Sequence, residues 1–319
     1  MDTLQYYRAK MKAVRVHRFG PPAVISYDDI PQPGAGENEV VVRIKAAGVG
    51  PWDALVRSGK SALPQPLPLT LGSDLSGVVD SIGPGVKELK VGDEVFGVTN
   101  EHFTGAYAEY AVAKAAMLAR KPKRLNDTHA ASVPVVAVTA WQMLFDYAQV
   151  TSGQSVLIHG GAGNVGAFAV QLAKQAGALV ITTAKGKDTG YVRSLGAYGV
   201  IDYWVTRFED RVKEVDVVID TVGGETLERS YGVLKRGGIL VSSAAVPSQD
   251  KAAQYGIRAV FFLVQVTRSR LQDVAALIDS GKLKTEVGEV LWLDEARRGH
   301  EMLEGAPHRR GKIVLKVAD

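Results

Sequence analysis

Apolar positions along the chain follow two rhythms. Up to about residue 130 they fall in short runs broken by turn residues: 12–16, 40–44, 77–82 (ended by Gly83-Pro84-Gly85), 92–97 and 107–112. Short runs bounded by Gly and Pro predict strands, and this spacing predicts a compact β-rich domain. From Pro134 the rhythm alternates. A helix is predicted over 134–147, then strand 154–159, helix 164–176 and strand 178–183. The pattern continues with helix 187–195, strand 200–203, helix 206–213, strand 215–219, helix 224–235, strand 238–243 and a sixth strand over 258–265. Such alternation predicts a doubly wound parallel sheet with helices on both faces, an α/β class. The tail reads helix 268–280, strand 287–292, helix 294–303 and strand 312–317, too short for a domain of its own. Its last strand is expected to return to the β-rich part. The doubly wound unit, 133–265, is then inserted in a β-rich domain made of 1–132 and 266–319. The cleft between two such parts is a favoured ligand site.

At the head of the alternating part stands Gly161-Ala162-Gly163-Asn164-Val165-Gly166. It follows the apolar strand 155–159 and opens a helix with apolar residues at Val165, Phe168, Ala169, Leu172 and Ala173. Strand, G-x-G-x-x-G and helix in this order signal dinucleotide binding. The first glycine permits the turn, the second admits the pyrophosphate to the backbone, and the third lets helix and strand pack closely. Gly161, Gly163, Asn164, Val165 and Gly166 are the expected phosphate contacts, at a helix N-terminus that favours anions.

The next strand ends in Thr182-Thr183-Ala184-Lys185-Gly186-Lys187. A site for a free 2′-hydroxyl usually carries Asp or Glu about 20 residues past the motif. Here no acid stands at the strand end and two lysines follow. Lys185 and Lys187 would attract a 2′-phosphate, with the hydroxyl of Thr182 or Thr183 adding hydrogen bonds, so the expected cofactor is NADPH. The bland alternative makes both lysines solvated loop charges.

Composition narrows the field. The 319 residues are 46% hydrophobic and 23% charged, as in a soluble globular protein, and no apolar run is long enough to span a membrane. Residues 1–12 are polar and lack a secretory core, and residues 1–10 read as an extension ahead of the first strand. There is no cysteine, which excludes disulfides, thiolate zinc sites and Cys nucleophiles and fits a cytoplasmic setting. The net charge of +4 is mild, and the basic clusters at 120–124 and 308–312 lack interleaved aromatics, so no nucleic-acid partner is expected. No G-x-S-x-G elbow supports Ser/His/Asp hydrolysis.

Several stretches together carry a family resemblance: Ala46-Ala47-Gly48-Val49, Leu71-Gly72-Ser73-Asp74 with Gly77, Val91 to Gly97, Thr139-Ala140-Trp141, Asp220-Thr221-Val222-Gly223-Gly224, and Gly311-Lys312-Ile313-Val314-Leu315. On these the chain resembles the medium-chain dehydrogenase/reductase superfamily from about Met11 to Val317. Within it the chain is most similar to the zinc-independent quinone oxidoreductase branch of zeta-crystallin type. The resemblance implies a GroES-like domain holding a Rossmann domain, and a homodimer, expected to pair along the sixth-strand edge of the Rossmann sheet. Zinc alcohol dehydrogenases of the superfamily place Cys where this chain has Gly50, and Gly-His-Glu where it has Gly72-Ser73-Asp74, so no metal is expected. The resemblance also implies that Thr139 lies near the nicotinamide, Tyr203 near the adenosine 2′-phosphate, the Phe261-Phe262 backbone near the nicotinamide ring and Lys312 near the cofactor. Packing or surface roles are the alternative for each. Many members carry Val-Asn-Pro near the active site, whereas this chain reads Val49-Gly50-Pro51-Trp52-Asp53. Gly50, Trp52, Asp53 and Phe262 are therefore the expected substrate-pocket residues. Trp52 either stacks on a flat acceptor or is a buried anchor, and Asp53 either donates a proton or caps a helix.

The expected activity is hydride transfer from NADPH to a quinone or an α,β-unsaturated carbonyl, acceptors electrophilic enough to need no metal. No side chain stands out as the catalytic acid. The rival readings are an enoyl-thioester reductase and a non-catalytic NADPH-binding redox sensor.

Overall fold

The computed structural model describes residues 9–63 and 65–318, so most of the extension expected over 1–10 lies outside the described residues. Along the chain the strands are β1 (Lys10–Val16), β2 (Ile25–Pro31), β3 (Glu39–Val49), β4 (Leu69–Thr70), β5 (Asp74–Ile82), β6 (Glu94–Val98), β7 (Tyr110–Lys114), β8 (Leu118–Arg120), β9 (Ser155–His159), β10 (Leu179–Ala184), β11 (Gly199–Asp202), β12 (Val215–Asp220), β13 (Leu234–Ser242), β14 (Arg258–Phe261), β15 (Val287–Trp292) and β16 (Lys312–Lys316). The α-helices are α1 (Pro51–Ser58), α2 (Asp127–Ala131), α3 (Pro134–Trp141), α4 (Asn164–Gln175), α5 (Thr189–Ser194), α6 (Gly224–Ser230), α7 (Gln249–Tyr255), α8 (Arg268–Asp279) and α9 (Ala296–Leu303). Among the described residues no helix is long and apolar enough to cross a membrane.

The chain divides into two compact units. The first comprises residues 1–135, 266–279 and 285–319, and the second residues 136–265 and 280–284. In the first unit β2, β1 and β4 form a small antiparallel sheet, and a larger sheet runs β15-β16-β3-β5-β6-β8 with β7 paired to β3. The tail does return here: β16 pairs antiparallel with β3, placing Ile313 opposite Val49 and Leu315 opposite Ala47. Alternating residues of these strands, among them Val14, Val42, Ile44, Leu75, Ile313 and Leu315, build the core of this unit.

The second unit holds one parallel sheet in the order β11-β10-β9-β12-β13-β14. Reading strands from β9 onward, this is the doubly wound arrangement whose order reverses beside the first strand, where ligands bind outside the carboxyl ends. Val156, Leu157 and Ile158 are all buried, as expected of a strand covered on both faces.

Several predicted elements change at their ends. The helix over 134–147 is α-helical only to Trp141 and continues as a π-helical stretch, Gln142–Tyr147. The helix expected over 206–213 is a single 3₁₀ turn, Phe208–Asp210, with Phe208 its one buried residue. The helix over 224–235 stops at Ser230, and a 3₁₀ turn leads into β13, which starts at Leu234 because that residue pairs with Val215 ahead of a bulge. The sixth strand ends at Phe261 rather than 265.

Candidate functional site

The glycine turn joins β9 to α4. Gly160 takes φ of 74°, a left-handed conformation that suits glycine. A Cβ at Gly161 would lie 2.1 Å from Thr182 Oγ1, and one at Gly166 would lie 2.1 Å from the Gly160 carbonyl oxygen. These two glycines let the helix sit against the strand end. A Cβ at Gly163 would make one tight contact, 3.2 Å from the Gly160 carbonyl oxygen, so this position is less crowded than the other two.

The backbone donors of the turn split into two sets. Gly160 N–H donates to Thr183 Oγ1 (3.1 Å), Gly161 N–H to the Thr183 carbonyl (3.0 Å) and Gly163 N–H to the Gly160 carbonyl (2.9 Å). Among the described residues the N–H groups of Ala162, Asn164, Val165 and Gly166 meet no acceptor, and no side chain caps α4. Unpaired amides at the positive end of a helix suit an anion. Among the sequence candidates, Asn164, Val165 and Gly166 contribute their N–H groups, while Gly161 and Gly163 shape the turn. Ala162 is a donor that the motif did not reveal, because it occupies a variable position.

At the end of β10 the Thr183 hydroxyl is nearly buried and bound to the turn rather than turned outward. Thr182 Oγ1 donates to the Ile158 carbonyl (2.7 Å). Lys185 and Lys187 are exposed and form no ion pair with any described residue. Tyr203 follows β11, with its N–H directed to the Ala184 carbonyl (3.3 Å). Its half-exposed ring lies alongside that of Trp204, centroids 6.0 Å apart. Partial burial, then Asp188 and Asp202, push its phenol above the ordinary value. Asp202 is an acid beside the end of β10 that comes from the neighbouring strand. It ends the neighbouring strand in register with Ala184, and its carboxylate oxygen comes within 2.4 Å of where a Gly186 Cβ would stand.

Elsewhere in this unit Thr139 is nearly buried on α3. Phe261 closes β14 half-buried, and Phe262 packs on Tyr147 with ring centroids 4.6 Å apart.

In the first unit Gly50 precedes α1, with Pro51 in the first turn. The Asp53 carboxylate accepts the Gly50 N–H (2.8 Å) and the Tyr107 hydroxyl (2.9 Å), so it caps the helix. Asp53 is fully buried, its Oδ1 has no partner, and burial pushes its carboxyl up to about 7. The half-buried Trp52 indole donates from Nε1 to Ser73 Oγ (3.2 Å). Its ring lies 4.2 Å below Lys312 Nζ, a cation–π contact. Lys312, only 1% exposed, donates to Asp74 Oδ2 (3.0 Å), while Asp74 Oδ1 accepts the Val135 N–H (3.0 Å). Burial pushes the Asp74 carboxyl up against the pull of Lys312. The structure thus gathers Gly50, Trp52, Asp53, Ser73, Asp74 and Lys312 in one place. It commits Lys312 to a buried ion pair. Tyr107, which joins Asp53 to the Gly48 carbonyl, carried no motif by which the sequence marks it.

Comparison with known proteins agrees with this architecture. Residues 36–123 match the alcohol dehydrogenase GroES-like domain, and residues 195–315 match the zinc-binding dehydrogenase family. A human quinone oxidoreductase is 31% identical over 324 residues, covering 96% of this chain and 97% of the relative. A solved quinone oxidoreductase from Coxiella burnetii superposes with a TM-score of 0.91 at 36% identity, covering 97% of this chain and all of that one. The Escherichia coli quinone oxidoreductase complexed with NADPH gives a TM-score of 0.87 at 30% identity, covering 96% and 100%. The chain belongs to the quinone oxidoreductase branch of the medium-chain dehydrogenase/reductase superfamily.

Proposed function

We propose that this chain reduces quinones or α,β-unsaturated carbonyl compounds with NADPH and without a metal ion. The observation that carries the reading is the set of amides at Ala162, Asn164, Val165 and Gly166 with no acceptor among the described residues, beside Gly163 and the exposed Lys185 and Lys187, which form no ion pair with any described residue. That set fits a pyrophosphate with a 2′-phosphate nearby. The relatives named for quinone reduction, one of them solved with NADPH, support the same assignment.

Bound NADPH supplies the hydride. The chain's residues hold and orient it: backbone amides of the turn at the pyrophosphate, the Lys185 and Lys187 ammonium groups at the 2′-phosphate, and the Tyr203 ring beside them. Thr139 and the Phe261-Phe262 segment are assigned to the nicotinamide end. Gly50, Trp52 and Asp53 are assigned to the acceptor side, where Trp52 offers a flat wall.

The residues around Trp52 do not fit a zinc ion. Gly50 has no ligand atom, Ser73 Oγ accepts the indole N–H, and Asp74 is held by Lys312. No group of three potential His, Cys, Asp or Glu ligands occurs among the described residues. A quinone or enone needs no metal to polarise it as an alcohol does. The resemblance implies a homodimer, and the proposal places it along β14, an edge strand that pairs only with β13 among the described residues.

The test follows NADPH absorbance with a simple quinone, an enone, a 2-alkenal and crotonyl-CoA, with NADH in parallel. Turnover of quinone or enone with NADPH preferred supports the reading. Turnover of crotonyl-CoA alone points to thioester reduction, and tight NADPH binding with no turnover points to a binding protein.

A further inference from the structure

The last residue of β9 is a histidine that neither the glycine motif nor the cofactor reading uses. His159 is fully buried, its ring packed edge-on to Phe208 with centroids 4.5 Å apart. Both ring nitrogens meet hydroxyls: Nε2 lies 3.0 Å from Ser230 Oγ, and Nδ1 lies 3.3 Å from Thr183 Oγ1.

Proton counting fixes the direction of each bond. Ser230 Oγ donates its only hydrogen to the Thr226 carbonyl (2.7 Å). It can therefore only accept from His159, so Nε2 carries the ring proton. Burial drives the pKa of the ring down to about 4, so it is neutral at physiological pH and Nδ1 is bare. Nδ1 then accepts from the Thr183 hydroxyl, leaving the Thr183 oxygen to accept the Gly160 N–H at 3.1 Å. The result is one directed chain from the Gly160 amide through Thr183, His159 and Ser230 to the Thr226 carbonyl on α6. The backbone of the same histidine makes a further tie, its carbonyl accepting the Thr221 hydroxyl (2.8 Å) just past β12.

We infer that His159 is a positioning residue for the dinucleotide site. Through Thr183 it holds the Gly160 amide inward, which leaves the amides of Ala162, Asn164, Val165 and Gly166 facing a phosphate. Through Thr183 and Thr221 it ties the carboxyl ends of β9, β10 and β12 into one frame, and through Ser230 it joins them to α6. This also assigns a role to Thr221, in the Asp220-Thr221-Val222-Gly223-Gly224 stretch that carried no chemistry of its own. The inference rests on the NADPH reading above.

The experiment uses the full chain and compares Thr183→Val, Thr183→Ser and His159→Ala with wild type. NADPH affinity is read by titration, steady-state kinetics with a quinone give kcat and KM, and NMR follows exchange of the Gly160 amide. Thr183→Val keeps the shape and loses the relay, whereas Thr183→Ser keeps the hydroxyl. Loss of one buried hydrogen-bonded link predicts a rise of about five- to tenfold in Kd and KM for NADPH with Thr183→Val, and more with His159→Ala. In both, kcat at saturating NADPH and KM for the quinone are expected to hold, while Gly160 exchange accelerates. Thr183→Ser is expected to match wild type. A folded Thr183→Val that binds NADPH as wild type does overturns the inference, as does a uniform fall of all parameters with the folded fraction. A wild-type protein that binds no NADPH overturns the cofactor reading instead. Gly160 exchange, read without cofactor, then still reports whether the relay holds the turn.

Discussion

The Trp52 indole fills the space that a side chain at Gly50 would need: a Cβ built there would stand 2.3 Å from Trp52 Cη2 and 2.4 Å from Cζ3. The ring is held at its Nε1 by the bond to Ser73 and on one face by the Lys312 ammonium. Gly50 and Trp52 therefore act as a pair: the ring occupies the space that glycine at position 50 leaves free.

Gly50→Asn is accordingly expected to destabilise the fold by about 1–3 kcal/mol through overpacking. Adding Trp52→Ala to it should recover part of that loss. Chemical denaturation of the single and double variants checks this. Equal losses in both would show that the ring and position 50 are independent.

Lys312 and Asp74 form a buried pair in which each charge depends on the other. Lys312→Met leaves a buried carboxylate without its counter-ion and is expected to cost about 3–5 kcal/mol. The double change Lys312→Met, Asp74→Leu should cost clearly less than the single one, because no charge is left unpaired. A double-mutant cycle on unfolding free energies gives the coupling, and additive losses would contradict the pair's interdependence.

Asp53 gives a pH dependence whose sign can be worked out. Its carboxyl is raised to about 7 in the folded chain, above the unfolded value, so the folded state holds the proton more tightly. The contribution is fully present at acid pH and declines as pH rises from about 4 to about 7, by up to about 4 kcal/mol. His159 and His300 act oppositely. Burial lowers them to about 4 and about 3, with the Arg57 charge adding to the effect at His300 and Arg229 to that at His159, so their contribution is lost as pH falls below about 6.5. Asp53→Asn should thus raise stability relative to wild type more at pH 8 than at pH 5. Thermal melts across that range decide it, and a pH-independent difference would refute the assignment to Asp53.

Gly166→Ala places a methyl group 2.1 Å from the Gly160 carbonyl oxygen, so helix and turn must separate. NADPH affinity is expected to fall by about tenfold or more, together with stability, whereas Gly163→Ala, with more room, should lose less. For Lys185→Ala with Lys187→Ala the expectation differs in kind. Affinity for NADPH should drop while affinity for NADH changes little, since only the 2′-phosphate is addressed by those charges. Parallel titrations with both nucleotides separate the two effects.

Local periodicity determined a good deal by itself. The strand–turn–helix at 155–176 and the parallel alternation follow from short-range apolar spacing and glycine placement, and the return of the last strand from a tail too short to fold alone; the fold reproduces them. Element ends were less legible. The early start of β13 depends on a distant partner, Val215 for Leu234, and the π-helical stretch after Trp141 left no local signal in the apolar spacing. The glycine motif named the turn, but not which amides it leaves open, because that depends on Thr183 reaching back from the next strand. Lys312 read as a cofactor contact and Thr183 as a phosphate ligand, while long-range neighbours claim both, Asp74 for the one and the Gly160 amide for the other. His159 read only as the end of a strand, since its hydroxyl partners lie 24 and 71 residues away. Sequence spacing fixes which backbone conformations are cheap. Which polar groups a fold then buries and pairs is decided by tertiary contacts, because a buried donor or acceptor must find its partner wherever the chain brings one.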